Sequence, residues 1–167
     1  MEIVLFRHAH KGIMPLADPE LSDLGFDQAR RLGECIQAKQ IVQPTHAWCS
    51  EKIRTHQTLA FACGQNQVEI ESSQLLNVRG YSESVEQFRD RIKKFLDLMG
   101  SLSLTANSDA QVHFVCTHYD WIEEFMIFIP CDKDLTTFEF SSWSPGQYLH
   151  FKIKNQIWNL MGKGVVK

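Results

Sequence analysis

Four apolar residues in succession, Ile3-Val4-Leu5-Phe6, are followed at once by Arg7-His8. An uninterrupted run of this length is the pattern of a strand buried on both faces. A guanidinium and an imidazole at the mouth of such a strand both need polar partners, and an anionic ligand is a natural one. Residues 11–20, which hold Pro15 and Pro19, are expected to be a loop.

Phe26, Ala29, Leu32, Gly33 and Ile36 then recur at helical spacing and predict a helix over 26–39, with Ser22 as its N-cap. Residues 45–49 read as a second short strand that runs into a helix carrying Arg54, Thr55 and Thr58, broken by Gly64-Gln65-Asn66. An exposed third strand is expected over 68–71 and a turn over 79–82.

The set Val85, Phe88, Ile92, Phe95, Leu96 and Met99 predicts an amphipathic helix over 84–99, with Arg89, Asp90, Lys93, Lys94 and Asp97 on its solvent face. Residues 101–109 are polar and small, a surface loop. A strand over 111–116 delivers Thr117-His118-Tyr119-Asp120 into a helix over 121–128, which Pro130 ends; Trp121, Phe125 and Phe128 belong to its core face. The tail reads as two or three strands over 136–140, 148–153 and 157–160, the last two joined by a turn at 154–156. The alternation predicts one α/β domain over 1–167, a three-layer α/β/α sandwich with a mixed, mostly parallel sheet.

Composition narrows the partners. The 167 residues are 44% hydrophobic with a formal charge of -3, and no basic stripe marks a nucleic-acid or anionic-membrane surface. The apolar runs are short of the ~20 residues of a membrane span, and a cytoplasmic location is expected. Cys35, Cys49, Cys63, Cys116 and Cys131 are an odd number without regular spacing, which suits a reducing compartment. Cys49, His56, Cys63, Cys116 and His118 match no structural zinc spacing, and no cofactor or metal is expected. Cys49 to Arg54 is one residue short of the thiolate phosphatase loop.

Three chemistry-bearing stretches follow strand ends: Arg7-His8, the stretch from Ser50 to Arg54, and Thr117-His118. In open α/β sheets ligands collect beyond the carboxyl ends of the strands, so parallel neighbours would bring two Arg and two His together. Such a donor set describes a phosphate site. His10, His46, His56 and His113 are expected at the surface or satisfied, with only His10 near enough to line the mouth.

These residues resemble the histidine phosphatase superfamily, the phosphoglycerate-mutase-like enzymes. Arg7-His8-Ala9 is similar to its Arg-His-Gly signature, and Leu21-Ser-Asp-Leu-Gly25-Phe-Asp-Gln28-Ala29 to its Leu-Thr-x-x-Gly-x-x-Gln-Ala segment. Ser50-x-x-x-Arg54-Thr55-x-Gln57-Thr58 resembles its Ser-Pro-x-x-Arg-Ala-x-Gln-Thr segment, and Thr117-His118 its late Gly/Ser-His. Chain length most resembles the small phosphohistidine phosphatases of the SixA type. The resemblance implies His8 as a nucleophile that is phosphorylated and then hydrolysed, with Arg7, Arg54 and a cationic His118 neutralising the phosphoryl oxygens. It also implies Ser50, Thr117 and His10 as substrate-binding residues.

Three positions depart from the pattern. Ala9 replaces Gly, and Glu51 replaces Pro, placing a carboxylate near the phosphate. Leu76-Asn77-Val78-Arg79-Gly80-Tyr81 resembles the mutase segment Leu-Asn-Glu-Arg-His-Tyr, with Val78 where the general-acid Glu stands. Without that acid, leaving groups of low basicity become the better substrates. Asp120, Glu83 and Glu51 are the candidate replacements, Asp120 first. The expected function is a phosphatase acting on phosphohistidine protein or another phosphate with a good leaving group, its partner a phosphorylated protein or small molecule. The alternative is a non-catalytic phosphate- or phosphoprotein-binding module; a mutase ranks third.

Overall fold

The computed structural model describes residues 1–105, 110–141 and 143–167. In chain order these form β1 (Glu2–Arg7), α1 (Asp23–Gln37), β2 (His46–Cys49), α2 (Ile53–Asn66), β3 (Ile70–Ser72), α3 (Val85–Ser103), β4 (Val112–Thr117), α4 (Tyr119–Phe128), β5 (Gln147–Lys154) and β6 (Ile157–Val165). The strands make a six-stranded sheet among the described residues, in the order β3-β2-β4-β1-β5-β6. β1 lies parallel to β4, β4 to β2, and β2 to β3, while β5 pairs antiparallel with both β1 and β6. The sheet is therefore mixed and mostly parallel, as expected.

Strand alternation explains why β1 is apolar throughout. Val4 and Phe6 face one side, where Leu32, Ile36, Leu59 and Ala62 of α1 and α2 pack on them. Ile3 and Leu5 face the other, against Phe88, Ile92 and Phe95 of α3 and Trp121 and Phe125 of α4. Ser22 caps α1 by accepting from Gly25 N, and Ser84 and Gln87 form a capping box on α3.

Several boundaries differ from the sequence expectation. Gly64 does not stop α2, which continues to Asn66 and ends at left-handed Gln67, φ 54°; packing of α2 on α1 outweighs the weak helix propensity of one glycine. β3 begins at Ile70, not Val68. α3 runs on to Ser103, and residues 106–109 of the expected loop lie outside the described residues. Phe138–Phe140 is a single 3-10 turn rather than a strand. Asn155 and Gln156, both at positive φ, make the two-residue turn between β5 and β6.

Candidate active site

Sheet register brings the strand ends level. Arg7 pairs with Thr117 and Phe6 with Cys116, while Cys49 also pairs with Cys116. His8, Ser50 and His118 are therefore the next residue out on three adjacent strands. Two bonds extend the ladder past the strand ends: His8 N donates to Thr117 O at 3.0 Å and Ser50 N to Cys116 O at 3.2 Å.

The backbone leaving β1 is fixed by side chains of the two flanking helices. Ala9 N donates to Thr58 Oγ1 at 3.0 Å, His10 N to Gln28 Oε1 at 2.8 Å, and Leu21 N to Gln57 Oε1 at 2.9 Å. Gly25 lets α1 approach this turn, because a Cβ there would stand 2.0 Å from His10 O. Gly146, at φ +75°, shares its N–H between Arg7 O and His8 O, both at 3.3 Å. These contacts give Gly25, Gln28, Gln57 and Thr58 a physical role: they hold the backbone on which His8 sits.

The His8 ring is 5.3 Å from that of His118, centroid to centroid, at an interplanar angle of 63°. His8 Nδ1 is 2.7 Å from Ala9 O and must carry the proton to bond it. Nε2 then keeps its lone pair and accepts from Arg54 Nε at 3.3 Å. Burial, with Arg54, Arg7 and Lys11 nearby, lowers the His8 pKa to about 4, against the backbone bond that raises it, so the ring is neutral at pH 7. A neutral imidazole whose Nε2 carries a lone pair is the nucleophilic form.

Arg54 Nη2 lies 3.2 Å from His118 Nδ1. A guanidinium can only donate, so Nδ1 accepts, and the Nε2 proton of His118 goes to Ser50 Oγ at 2.8 Å. Burial first, then Arg54 and His8, depress the His118 pKa to about 2. Burial beside the Arg54 guanidinium thus favours a neutral His118 ring, because a second charge would be buried against Arg54. Arg7 Nη1 donates to Trp143 O, and its guanidinium lies over the Tyr119 ring, 5.4 Å from the centroid. Arg7 Nε is buried without a hydrogen-bond partner. Arg7 thus keeps one charged donor open.

Residues 3–81 match the histidine phosphatase superfamily (branch 1). The fold is a histidine phosphatase fold. Three of the four motifs lie within the match; Thr117-His118 lies beyond it and is placed by the sheet register. Among solved structures, the chain is similar to the protein histidine phosphatase SixA complexed with tungstate, with TM-score 0.74, 11% identity and coverage of 99% of this chain and 97% of that one. It is also similar to the alpha-ribazole phosphatase from Shigella flexneri, with TM-score 0.75, 14% identity and coverage of 99% and 96%. A phosphoserine phosphatase from Entamoeba histolytica in complex with 3-phosphoglyceric acid aligns with TM-score 0.72, 14% identity and coverage of 99% and 98%. No curated protein sequence matches the chain.

Other residues named from the sequence take supporting places around this pocket. Ser50 stands behind His118, accepting from its Nε2 and from Lys52 N at 3.1 Å, with Thr55 Oγ1 at 3.0 Å; it orients the ring. Thr117 is fully buried and its hydroxyl donates to Leu76 O at 2.7 Å, so its side chain braces the 3-10 turn over Gln74–Leu76 instead of facing the mouth. His10 is exposed, and its Nδ1 pairs with Ser22 Oγ at 2.7 Å.

The three candidate acids are each engaged. Asp120 accepts from Arg79 N at 2.8 Å. Glu83 pairs with Arg91 at 2.8 Å, which holds its carboxyl below the usual range. Glu51 Oε2 accepts from Asn77 Nδ2 at 2.8 Å while its own N–H donates to Asn77 Oδ1 at 2.9 Å, so it turns to Asn77, not to an Arg.

Asp18, which sequence reasoning did not single out, pairs directly with the cluster: its Oδ1 is 3.2 Å from Arg54 Nη1. An aperiodic Pro-flanked loop gives no signal for it. Among the described residues, no group of three or more His, Cys, Asp or Glu could hold a metal ion, and no helix is long and apolar enough to cross a membrane.

Proposed function

We propose that the protein is a phosphatase that passes a phosphoryl group through His8, acting on phosphohistidine protein or on another phosphate with a good leaving group. The observation that carries this reading is the state of His8: a neutral ring, its Nδ1 proton fixed on Ala9 O, and its Nε2 lone pair facing Arg54. In the first step Nε2 bonds to phosphorus as the bond from phosphorus to the leaving group breaks, and the leaving group takes the electron pair. The ring gains positive charge, which the Nδ1–H to Ala9 O bond helps to hold. Water then attacks phosphorus, the N–P electron pair returns to Nε2, and inorganic phosphate leaves with the water's oxygen and protons.

Arg54, Arg7 and His118 meet the oxygens of the transferring group. An arriving dianion would take over the Arg54 Nη2 donor now given to His118 and offset the charges that keep His118 neutral, so His118 can accept a proton in the complex. The phosphohistidine specificity rests on Val78: with no acid there and the nearby carboxylates engaged, a leaving group that departs without a proton is favoured. The same feature supports the second reading, a phosphate-binding module without turnover.

Incubation with p-nitrophenyl phosphate separates the two. Turnover by wild type, absent in His8→Ala, together with an acid-labile phosphoenzyme, is the expected result; anion binding without turnover would make the protein a binding module.

A further inference from the structure

We propose that Asp18 is a positioning residue that aims the guanidinium of Arg54 at the phosphoryl group; this rests on the reading of the pocket given above. The three nitrogens of Arg54 are divided between two sides. Nε and Nη2, which share one edge of the planar group, face His8 Nε2 at 3.3 Å and His118 Nδ1 at 3.2 Å. Nη1, at the far corner, is held by Asp18 Oδ1 at 3.2 Å. The edge able to grip two phosphoryl oxygens at once is the one turned to the pocket, and the carboxylate holds the opposite corner.

Asp18 is itself held. Its Oδ2 accepts from Ile53 N, the first residue of α2, at 3.1 Å, so one carboxylate bridges the helix that carries Arg54 and the side chain of Arg54. The loop presenting it is closed at its base by the Lys11 to Leu21 bridge and by Gly12 N donating to Glu20 O at 2.7 Å. The side chain of Arg54 is 10% exposed and that of Asp18 33%, so the pair lies where the pocket wall meets solvent. An arginine has several rotatable bonds, and holding its far corner removes the swing that would let the pocket edge drift. Asp18 is thus expected to act on the transition state through Arg54, without touching substrate.

Turnover of p-nitrophenyl phosphate and tungstate affinity by calorimetry test this in Asp18→Ala, Asp18→Asn, Arg54→Ala and the double variant. Asp18→Ala should lower kcat about tenfold or more with a smaller change in KM. Asp18→Asn, which keeps an acceptor for Nη1, should recover part of that loss. In the Arg54→Ala background, adding Asp18→Ala should change the rate by no more than roughly twofold, because the group it aims is gone. An equal loss in both backgrounds would show that Asp18 only holds the loop and helix, and overturns the proposal. So would faster turnover with tighter tungstate binding in Asp18→Ala, which would make Asp18 a competitor for the pocket. If wild type does not turn over, or His8→Ala turns over equally, the phosphatase reading fails instead, and the tungstate affinities still decide whether Asp18 acts through Arg54.

Discussion

Arg54 bridges His8 and His118, donating from Nε to one ring at 3.3 Å and from Nη2 toward the other at 3.2 Å. Of these three groups only the guanidinium carries charge, since burial keeps both rings neutral. Removing it should therefore cost more than a neutral contact. Arg54→Ala is expected to lose on the order of 2–4 kcal/mol of transition-state stabilisation, a ~30- to ~1000-fold fall in kcat/KM on p-nitrophenyl phosphate. His8→Ala should abolish turnover with an unchanged far-ultraviolet circular dichroism spectrum.

The pH dependence follows from the lowered pKa of His8. A base whose folded pKa falls from 6.5 to about 4 stays neutral, and so nucleophilic, down to about pH 4. The acid limb of kcat/KM should therefore lie near pH 4, well below the ordinary imidazole value. A His8 imidazole that titrates at pH 6–7 by nuclear magnetic resonance would show that burial does not neutralise the ring.

Stability should follow the same sign at a different residue. His113 is buried, accepts from Trp48 Nε1 at 3.1 Å and stacks on His46 with centroids 4.5 Å apart; burial, then His46 and the amino terminus, lower its pKa to about 4. Its contribution is fully present above the unfolded value of about 6.5 and is lost as pH falls through about 4. Thermal melting from pH 7 to pH 4 should fall less steeply in His113→Gln than in wild type, by the equivalent of roughly 1–3 kcal/mol. Identical slopes would remove His113 as a cause.

Thiol chemistry should leave the pocket untouched. Cys49, Cys63 and Cys116 are buried in the core beneath α1 and α2, and burial raises each thiol, Cys63 to about 12. Iodoacetamide at neutral pH should modify only the partly exposed Cys35 and Cys131 and leave turnover unchanged. Inactivation that phosphate prevents would instead place a cysteine in the chemistry.

Leaving-group dependence tests the missing acid. With Val78 where a general acid would stand, aryl phosphates and phosphohistidine should exceed glycerol phosphate by at least about tenfold at matched concentration, since acid assistance is commonly worth ~100- to ~10,000-fold. Val78→Glu should narrow the gap. Equal rates on alkyl and aryl esters, with selective loss of the alkyl activity in Asp120→Asn, would assign the acid role to Asp120.

Much of this was legible in the residues because the strand-end signal is local. Ile3 to Phe6 followed by Arg7-His8, and Val112 to Cys116 followed by Thr117-His118, each place their chemistry one step beyond a strand, and parallel pairing does the rest. What was not legible depends on distant chain segments. The neutral state of His118 comes from burial beside Arg54, and the Thr117 hydroxyl turns to Leu76 because of where the 3-10 turn docks. Gly64 stays helical because tertiary packing overrides propensity, and Asp18 reaches Arg54 from a loop without period.

The position of β1 also dictates an order of events during synthesis. The strand that leads into His8 is made before both of its neighbours, residues 112–117 and 147–154. Gly146, which ties the backbone of Arg7 and His8, comes equally late. Until β4 and β5 have emerged, Ile3 to Phe6 remains an unpaired apolar segment, so the sheet is a fold of long sequence separation and slow closure. A nascent chain that stalls before residue 147 thus carries all four pocket residues without one neighbour of the strand that leads into two of them, and such a fragment should associate or be degraded before it can bind an anion.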